Sequence, residues 1–340
     1  MKQLKSLLAT GALSLGGIVF AQPKPNVVFI ITDDLGYGDL SCFGQEKFLT
    51  PNIDRLALNG TRFTRSYSGT TVSAPSRASL MTGLHTGHAS IRGNKEMEPE
   101  GQFPLPENTY TLFHLFKNAG YKTGAFGKWG LGYPGSTGDP IHQGVDEFFG
   151  YNCQRLAHNY YPGHLWRNQK RIELPENDNG RSGAYAQDLI QKEILSFISN
   201  NKGNPFFLYA PIVLPHAELI VPEDSIIQQF RGKFPETPYR GIDDGPSFRK
   251  GGYASQEHPR ATHAAMVKRI DVYVGQIIER LKAEGIYENT LIVFTSDNGP
   301  HREGGGDPDF FNSNGIYRGY KRDLYEGGIR VPTVVSWKGH

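Results

Sequence analysis

Two apolar runs at opposite ends of the chain constrain the fold more than anything else in it. Val27-Val28-Phe29-Ile30-Ile31 and Leu291-Ile292-Val293-Phe294 are uninterrupted by polar residues, and each runs into a pair of oxygen-bearing side chains, Asp33-Asp34 and Asp297-Asn298. Apolar runs this short read as buried strands rather than helices. In an open α/β sheet, ligands bind outside the carboxyl ends of the strands. Two strands that end this way therefore converge on one point and carry four potential oxygen ligands to it.

The chain between them keeps alternating. Residues 53–58 follow Thr50-Pro51, a helix-starting pair, and residues 109–118 place Leu112, Leu115 and Phe116 on one helical face before Gly120 ends the pattern. Residues 123–126 read as a strand, 185–198 as an amphipathic helix, 206–210 as a strand, 264–284 as a long helix and 331–337 as a last strand. Such alternation implies a doubly wound, mostly parallel sheet sandwiched by helices. Residues 130–183 and 215–260 are rich in Gly, Pro, Asn and aromatics, with weak periodicity, and read as long loops that wall a pocket. No internal repeat of solenoid period is present.

Asp33, Asp34, Asp297 and Asn298 make an all-oxygen set. Without His or Cys, such a set selects a hard cation, Ca²⁺ first and Mg²⁺ second. One acidic pair after a strand is ordinarily a cap or a turn. Two pairs together with the Ser73-Ala74-Pro75-Ser76-Arg77 stretch favour a metal. Pro75 falls in the first turn of an apparent helix, so Ser73 stands at a helix N-terminus, where free N–H groups and the positive dipole end suit an anion. Taken alone, Ser-x-Pro-Ser-Arg is usually just a capped helix start. Arg77 lies one turn further on, on the same face.

In combination these blocks resemble the type I, formylglycine-dependent sulfatases of the alkaline-phosphatase superfamily. The resemblance is carried by S-A-P-S-R at 73–77 with A-S-L-M-T-G at 78–83, N-V-V-F-I-I-T-D-D-L-G-Y-G-D at 26–39, and T-P-N-I-D-R-L-A at 50–57. It continues with G-K-W at 127–129, S-D-N-G at 296–299 and Y-K-R-D-L-Y-E-G-G-I-R-V-P at 320–332, and runs from about residue 26 to the chain's end. It implies an alkaline-phosphatase-like fold and hydrolysis of a sulfate monoester on a sulfated sugar or glycan. It also implies oxidation of Ser73 to formylglycine (3-oxoalanine) by a serine-type sulfatase-maturing enzyme. By the same resemblance Arg77 holds the hydrated aldehyde, Lys128 and Lys321 contact the sulfate and the leaving oxygen, and His216 protonates the leaving alcohol. One position departs from the pattern: where many members read G-K-W-H-L-G, this chain has Gly130. Family members normally continue into a smaller C-terminal subdomain, so residues 22–340 are expected to be a catalytic domain short of that part.

Two rival readings stay open at this point. A phosphatase or phosphodiesterase of the same superfamily would use Ser73 unmodified, with two zinc ions on Asp/His sets, and no such His set lies near the acidic pairs. A non-catalytic binder of sulfated glycans would need only the pocket. The segment at 150–162 mixes aromatics and amides, with Gln154, His158 and Tyr160 as candidate substrate contacts: flat faces stack on sugar rings and amides bind hydroxyls. An ordinary packed surface loop fits the same composition. Residues 1–21 read as a cleavable signal peptide, with Lys2 and Lys5 ahead of an apolar stretch too short and Gly-rich for a membrane span. The mature protein is therefore expected to be periplasmic or secreted, with no membrane span. A formal net charge of +2, part of it in that leader, offers no footprint for nucleic acid. The two cysteines, Cys42 and Cys153, read as unpaired thiols.

Overall fold

The computed structural model describes residues 23–243 and 252–338. The leader expected over residues 1–21 and residues 244–251 of the second expected wall lie outside them. Among the described residues one nine-stranded sheet runs through the molecule in the order β2-β9-β8-β1-β7-β3-β4-β5-β6. Its strands are β1 (Asn26–Asp33), β2 (Thr61–Phe63), β3 (Lys122–Lys128), β4 (Glu147–Tyr151), β5 (His164–Arg167), β6 (Lys170–Glu173), β7 (Phe206–Pro215), β8 (Thr290–Ser296) and β9 (Thr333–Trp337). The centre, β8-β1-β7-β3-β4, is parallel throughout, and antiparallel pairings occur only at the two ends. The helices are α1 (Pro51–Leu58), α2 (Ser73–Thr82), α3 (Leu112–Asn118), α4 (Ala186–Asn201), the single turn α5 (Ser225–Gln228) and α6 (Pro259–Ala283).

The apolar runs are buried on both faces because alternate residues feed two cores. Val28 and Ile30 of β1, with Leu208 and Ala210 of β7, pack under Ile194 and Phe197 of α4 and Ile270 and Val274 of α6. Val27 and Ile31, with Phe207 and Tyr209, pack on the other side with Ala74 and Ala78 of α2 and Phe113 of α3. The sheet is thus sandwiched by helices, as expected.

Several local expectations need correction. The helix expected over 109–118 begins at Leu112, because Thr111 caps it: its hydroxyl accepts from His114 N while the His114 ring takes the Thr111 N–H. Phe113, not Leu115, is its buried residue; Leu115 is largely exposed. The helix expected over 264–284 begins at Pro259, since the Glu236 carboxylate, from a loop distant in sequence, accepts from Arg260 N and Ala261 N. The strand expected over 206–210 continues to Pro215, paired with β1 across a register shift between Ile31 and Asp33. Residues 130–183 hold β4, β5 and β6, strands of four or five residues each and too short to show a clear period. Both cysteines are free, as read from the sequence.

Candidate active site

The register of β1 and β8 sets Thr32 opposite Ser296, so the chain leaves both strands at the same level. Asp297 N donates to Thr32 O at 3.0 Å, Asp34 N to Asp297 Oδ1 at 3.2 Å, and Asn298 Nδ2 to Asp34 Oδ1 at 2.6 Å. Asp34 has φ 63, a left-handed conformation uncommon outside glycine, and these bonds hold it there. Asp33, Asp34, Asp297 and Asn298 are fully buried.

Ser73 is the first residue of α2, after Val72 in extended conformation with no side-chain cap. Its hydroxyl donates to Asp33 Oδ1 at 2.8 Å and lies 3.5 Å from Lys128 Nζ. Lys128, the last residue of β3, also forms an ion pair with Asp33. One turn into α2, the Arg77 guanidinium grips Asp297 Oδ2 from Nε at 3.0 Å and Nη2 at 2.9 Å, and donates to Lys128 O at 2.9 Å. Its bonds go to the carboxylates beneath the nucleophile position, with Asp33 Oδ2 at 3.5 Å.

On the opposite side, Lys321 Nζ donates to Asp34 Oδ2 at 2.8 Å and Glu303 Oε2 at 3.1 Å, and sits 3.0 Å from His216 Nε2. His216 directly follows β7. Its Nδ1 donates to the Ala217 carbonyl, which leaves Nε2 as the lone pair facing the ammonium. Burial, then the Lys321 charge, hold His216 well below its usual pKa, so the ring is neutral. Burial alone would raise Asp33, but Lys128, with Arg77 and Lys321, outweighs it and keeps this carboxyl well below the usual range. Asp297 goes the other way: burial first, then Asp33, push it up to about 7 against the pull of Arg77.

Every catalytic and metal position expected from the sequence thus lies in one cluster. The wall residues divide. His158 is half-buried, with its ring stacked on His216 at 4.7 Å. Gln154 is buried beside Gly130. Tyr160 is buried completely; its hydroxyl donates to His216 O at 2.8 Å and its ring stacks on Tyr185. It braces His216 from behind and presents no surface to a substrate.

Sequence reasoning missed Glu303, His301 and Tyr253. Glu303 ties Lys321 to Arg322 and accepts from the Tyr253 hydroxyl at 3.2 Å. His301 is neutral and committed, with Nε2 donating to Pro215 O at 3.1 Å and Nδ1 accepting from Glu303 N at 3.0 Å. For His301 and Glu303 the signal available was their place, within six residues of Asp297 on the turn that leaves β8; Tyr253, far from it in sequence, had none.

Two further trios bring ligand atoms within 4.8 Å of one another: Asp33, Asp34 and His216, and Asp34, His301 and Glu303. Neither is free for a cation. The His216 lone pair faces Lys321, and both His301 nitrogens are used. Asn298 Oδ1, by contrast, is buried with no partner, beside three buried carboxylates. An orphaned carbonyl oxygen among acids fits a hard cation held by Asp33, Asp34, Asp297 and Asn298. Those three carboxylates are formally balanced by Arg77, Lys128 and Lys321. A divalent ion would therefore leave the pocket net positive, as an anionic ester requires.

The chain belongs to the sulfatase family, whose family model matches residues 25–340. It is 31% identical over 359 residues to N-acetylgalactosamine-6-sulfatase of Rattus norvegicus, a match covering 99% of this chain and 60% of that protein. It is 29% identical over 386 residues to N-acetylgalactosamine-6-O-sulfatase of Bacteroides thetaiotaomicron, covering 92% of this chain and 68% of that one. For the arylsulfatase of Hemicentrotus pulcherrimus the identity is 31% over 338 residues, with 93% of this chain and 54% of that one covered. The solved structure of Ps i-CgsB in complex with k-i-k-neocarrahexaose aligns at a TM-score of 0.74 and 29% identity, covering 93% of this chain and 66% of that chain. The chain accordingly spans 54% to 61% of the length of the arylsulfatase and the mammalian N-acetylgalactosamine-6-sulfatases it matches.

Proposed function

We propose that this protein hydrolyses sulfate monoesters on a sulfated carbohydrate or glycan, with Ser73 converted to formylglycine as the nucleophile. The observation that carries this is the seat of Ser73: a hydroxyl at a helix N-terminus, 2.8 Å from Asp33 and 3.5 Å from the Lys128 ammonium, with Arg77 one turn behind. Relatives named for N-acetylgalactosamine sulfate and a neighbour bound to a neocarrahexaose support a sugar substrate. Hydrated, the aldehyde supplies a geminal diol, one oxygen of which attacks sulfur while the other serves to release sulfate. Asp33, Asp34, Asp297 and Asn298 would hold Ca²⁺, with Mg²⁺ as second choice, and the ion would supply a Lewis acid to the sulfate oxygens. Lys128 and Lys321 meet the anionic group from two sides. Lys321 Nζ lies 3.0 Å from His216 Nε2, so this nitrogen can take a proton from the ammonium and give it, from the same atom, to the oxygen of the leaving alcohol.

Ser73 is 1% exposed, so the maturing enzyme acts on it before this fold closes. Turning its CH₂OH into an aldehyde removes two electrons and two protons, which the serine-type maturase must accept. The periplasmic or secreted location rests on the leader read at residues 1–21; no helix among the described residues is long and apolar enough to cross a membrane.

Mass spectrometry of the peptide spanning Ser73, from protein matured in a host with a serine-type maturase, tests this reading. A species lighter by two hydrogen atoms, together with turnover of a sulfate ester that Ser73→Ala abolishes, is expected. Wild-type turnover from unmodified serine would defeat the formylglycine route and favour direct attack by Ser73.

A further inference from the structure

Three buried carboxamides stand where β3 and β4 leave the sheet, and their polar atoms lack partners. Gln102 Nε2, Gln154 Nε2 and both Asn152 Nδ2 and Oδ1 make no hydrogen bond among the described residues. The three side chains belong to residues only 1%, 5% and 0% exposed for Gln102, Gln154 and Asn152. Exchanging amide oxygen and nitrogen does not cure this. Asn152 lacks a partner for either atom, and Gln102 Oε1 already accepts from Gln154 N at 3.2 Å. Buried amides are ordinarily paired, so this cluster is open to a group absent from the unmodified side chains.

The backbone fixes where that group would be. Lys128 pairs in register with Tyr151, and the two chains leave the sheet side by side, Trp129 N donating to Tyr151 O at 2.9 Å and Gly130 N to Asn152 O at 3.1 Å. Lys128 turns towards Ser73 and Asp33, while Trp129 turns away to pack on Phe113. Gly130 has φ 74 and no side chain, and a Cβ there would lie 2.8 Å from Gln154 Nε2. The Gln154 amide therefore fills the space that a side chain at residue 130 would claim, two residues beyond the lysine that touches Ser73.

We propose that the Gln154 Nε2–H donates to an oxygen of the hydrated aldehyde at residue 73 and holds that group in place. The inference rests on the formylglycine reading above. It differs from a wall contact to sugar in that its target is the protein's own nucleophile.

Three readouts test it. In unmodified Ser73 protein, the near-isosteric Gln154→Met should leave Tm unchanged or raise it, because the amide it removes has no partner. A clear fall would show a structural role and overturn the proposal. In matured protein, an aminooxy probe should capture the residue-73 aldehyde several-fold faster in Gln154→Met than in wild type, since the hydrate is no longer held. Turnover should drop about tenfold or more in kcat, with KM within about twofold. Equal capture rates and equal kcat overturn it. Finally, Gly130→His should be crippled by the clash with Gln154, while Gly130→His with Gln154→Ala should exceed both single variants, histidine being tolerated at positive φ better than most residues. Strictly multiplicative losses count against the proposal. A matured wild type without aldehyde defeats the parent reading and this inference with it; aldehyde present with indistinguishable variants defeats this inference alone.

Discussion

Around Ser73 every charged group has a counter-charge, whereas in the wall beyond β4 the polar groups are left to themselves. Asp33, Asp34 and Asp297 are each met by Lys128, Arg77 or Lys321. A short distance beyond the ends of β3 and β4, Asn152 and Gln154, with Gln102 from the segment before α3, have unpaired amide atoms. The difference follows from cost. A buried unpaired ion is penalised by several kcal/mol, so an ionic centre must arrive already neutralised. A buried unpaired amide costs only about 1–3 kcal/mol and can await its ligand. The centre is therefore rigid and stabilising only as a whole, while the wall holds residues that the fold can spare.

The sharpest way to break this comparison is to take one cation from the centre. Arg77→Met keeps much of the side-chain volume but leaves Asp297 without its two charge-assisted bonds and Lys128 O without a donor. A loss of about 3–5 kcal/mol in folding stability is expected, together with loss of turnover. Denaturant unfolding measures it. A Tm within a degree or two of wild type would show that the charges are not interdependent.

The wall contains one acid that sharpens the contrast. Glu218 is buried, and among the described residues its carboxyl accepts from Tyr160 N at 3.4 Å and Ala254 N at 3.3 Å and meets no cation. Burial pushes it up to about 8 from 4.5, so in the folded protein it stays protonated through neutral pH. Between those values the folded state binds a proton that the unfolded chain has released, so stability falls as pH rises. Glu218→Gln removes that slope. The variant should match wild type near pH 4.5 and exceed it by about 2–4 kcal/mol near pH 8. A stability difference that does not grow with pH would mean that a charge is tolerated in the wall after all.

What the sequence revealed divides along a similar line. Asp33, Asp34, Ser73 and Asp297 were legible because strand ends and a helix start are local patterns, and the chemistry sits on them. The central strands were legible because burial on both faces leaves an unbroken apolar run. Glu303 and His301 were not, because their place depends on the turn after β8 folding against the end of β7, which no local pattern encodes. Tyr160 and His158 come from one short segment of like composition. One braces His216 through its backbone and the other stacks on its ring, a difference set by the path of the loop rather than by residue type. The start of α6 was missed for a related reason: the group that caps it, Glu236, arrives from another part of the chain.

The smallest expected effect concerns the one carboxylate in the centre whose pairing is incomplete. Burial and Asp33 push Asp297 up to about 7 even though Arg77 holds it from one side. A metal ion needs the ionised carboxylate, so below that pH binding must expel a proton, and above it none. Apparent Ca²⁺ affinity should therefore rise by up to about tenfold per pH unit, roughly 1.4 kcal/mol, as pH climbs towards 7, and then level off. Calorimetry in buffers of different ionisation enthalpy counts the proton directly: about one released per Ca²⁺ near pH 6 and about none near pH 8. Protein carrying unmodified Ser73 suffices, since the four proposed ligands do not include the side chain of residue 73. Affinity that does not change between those pH values would place Asp297 among the fully ionised groups, and the centre would then be as completely paired as its ion pairs alone indicate.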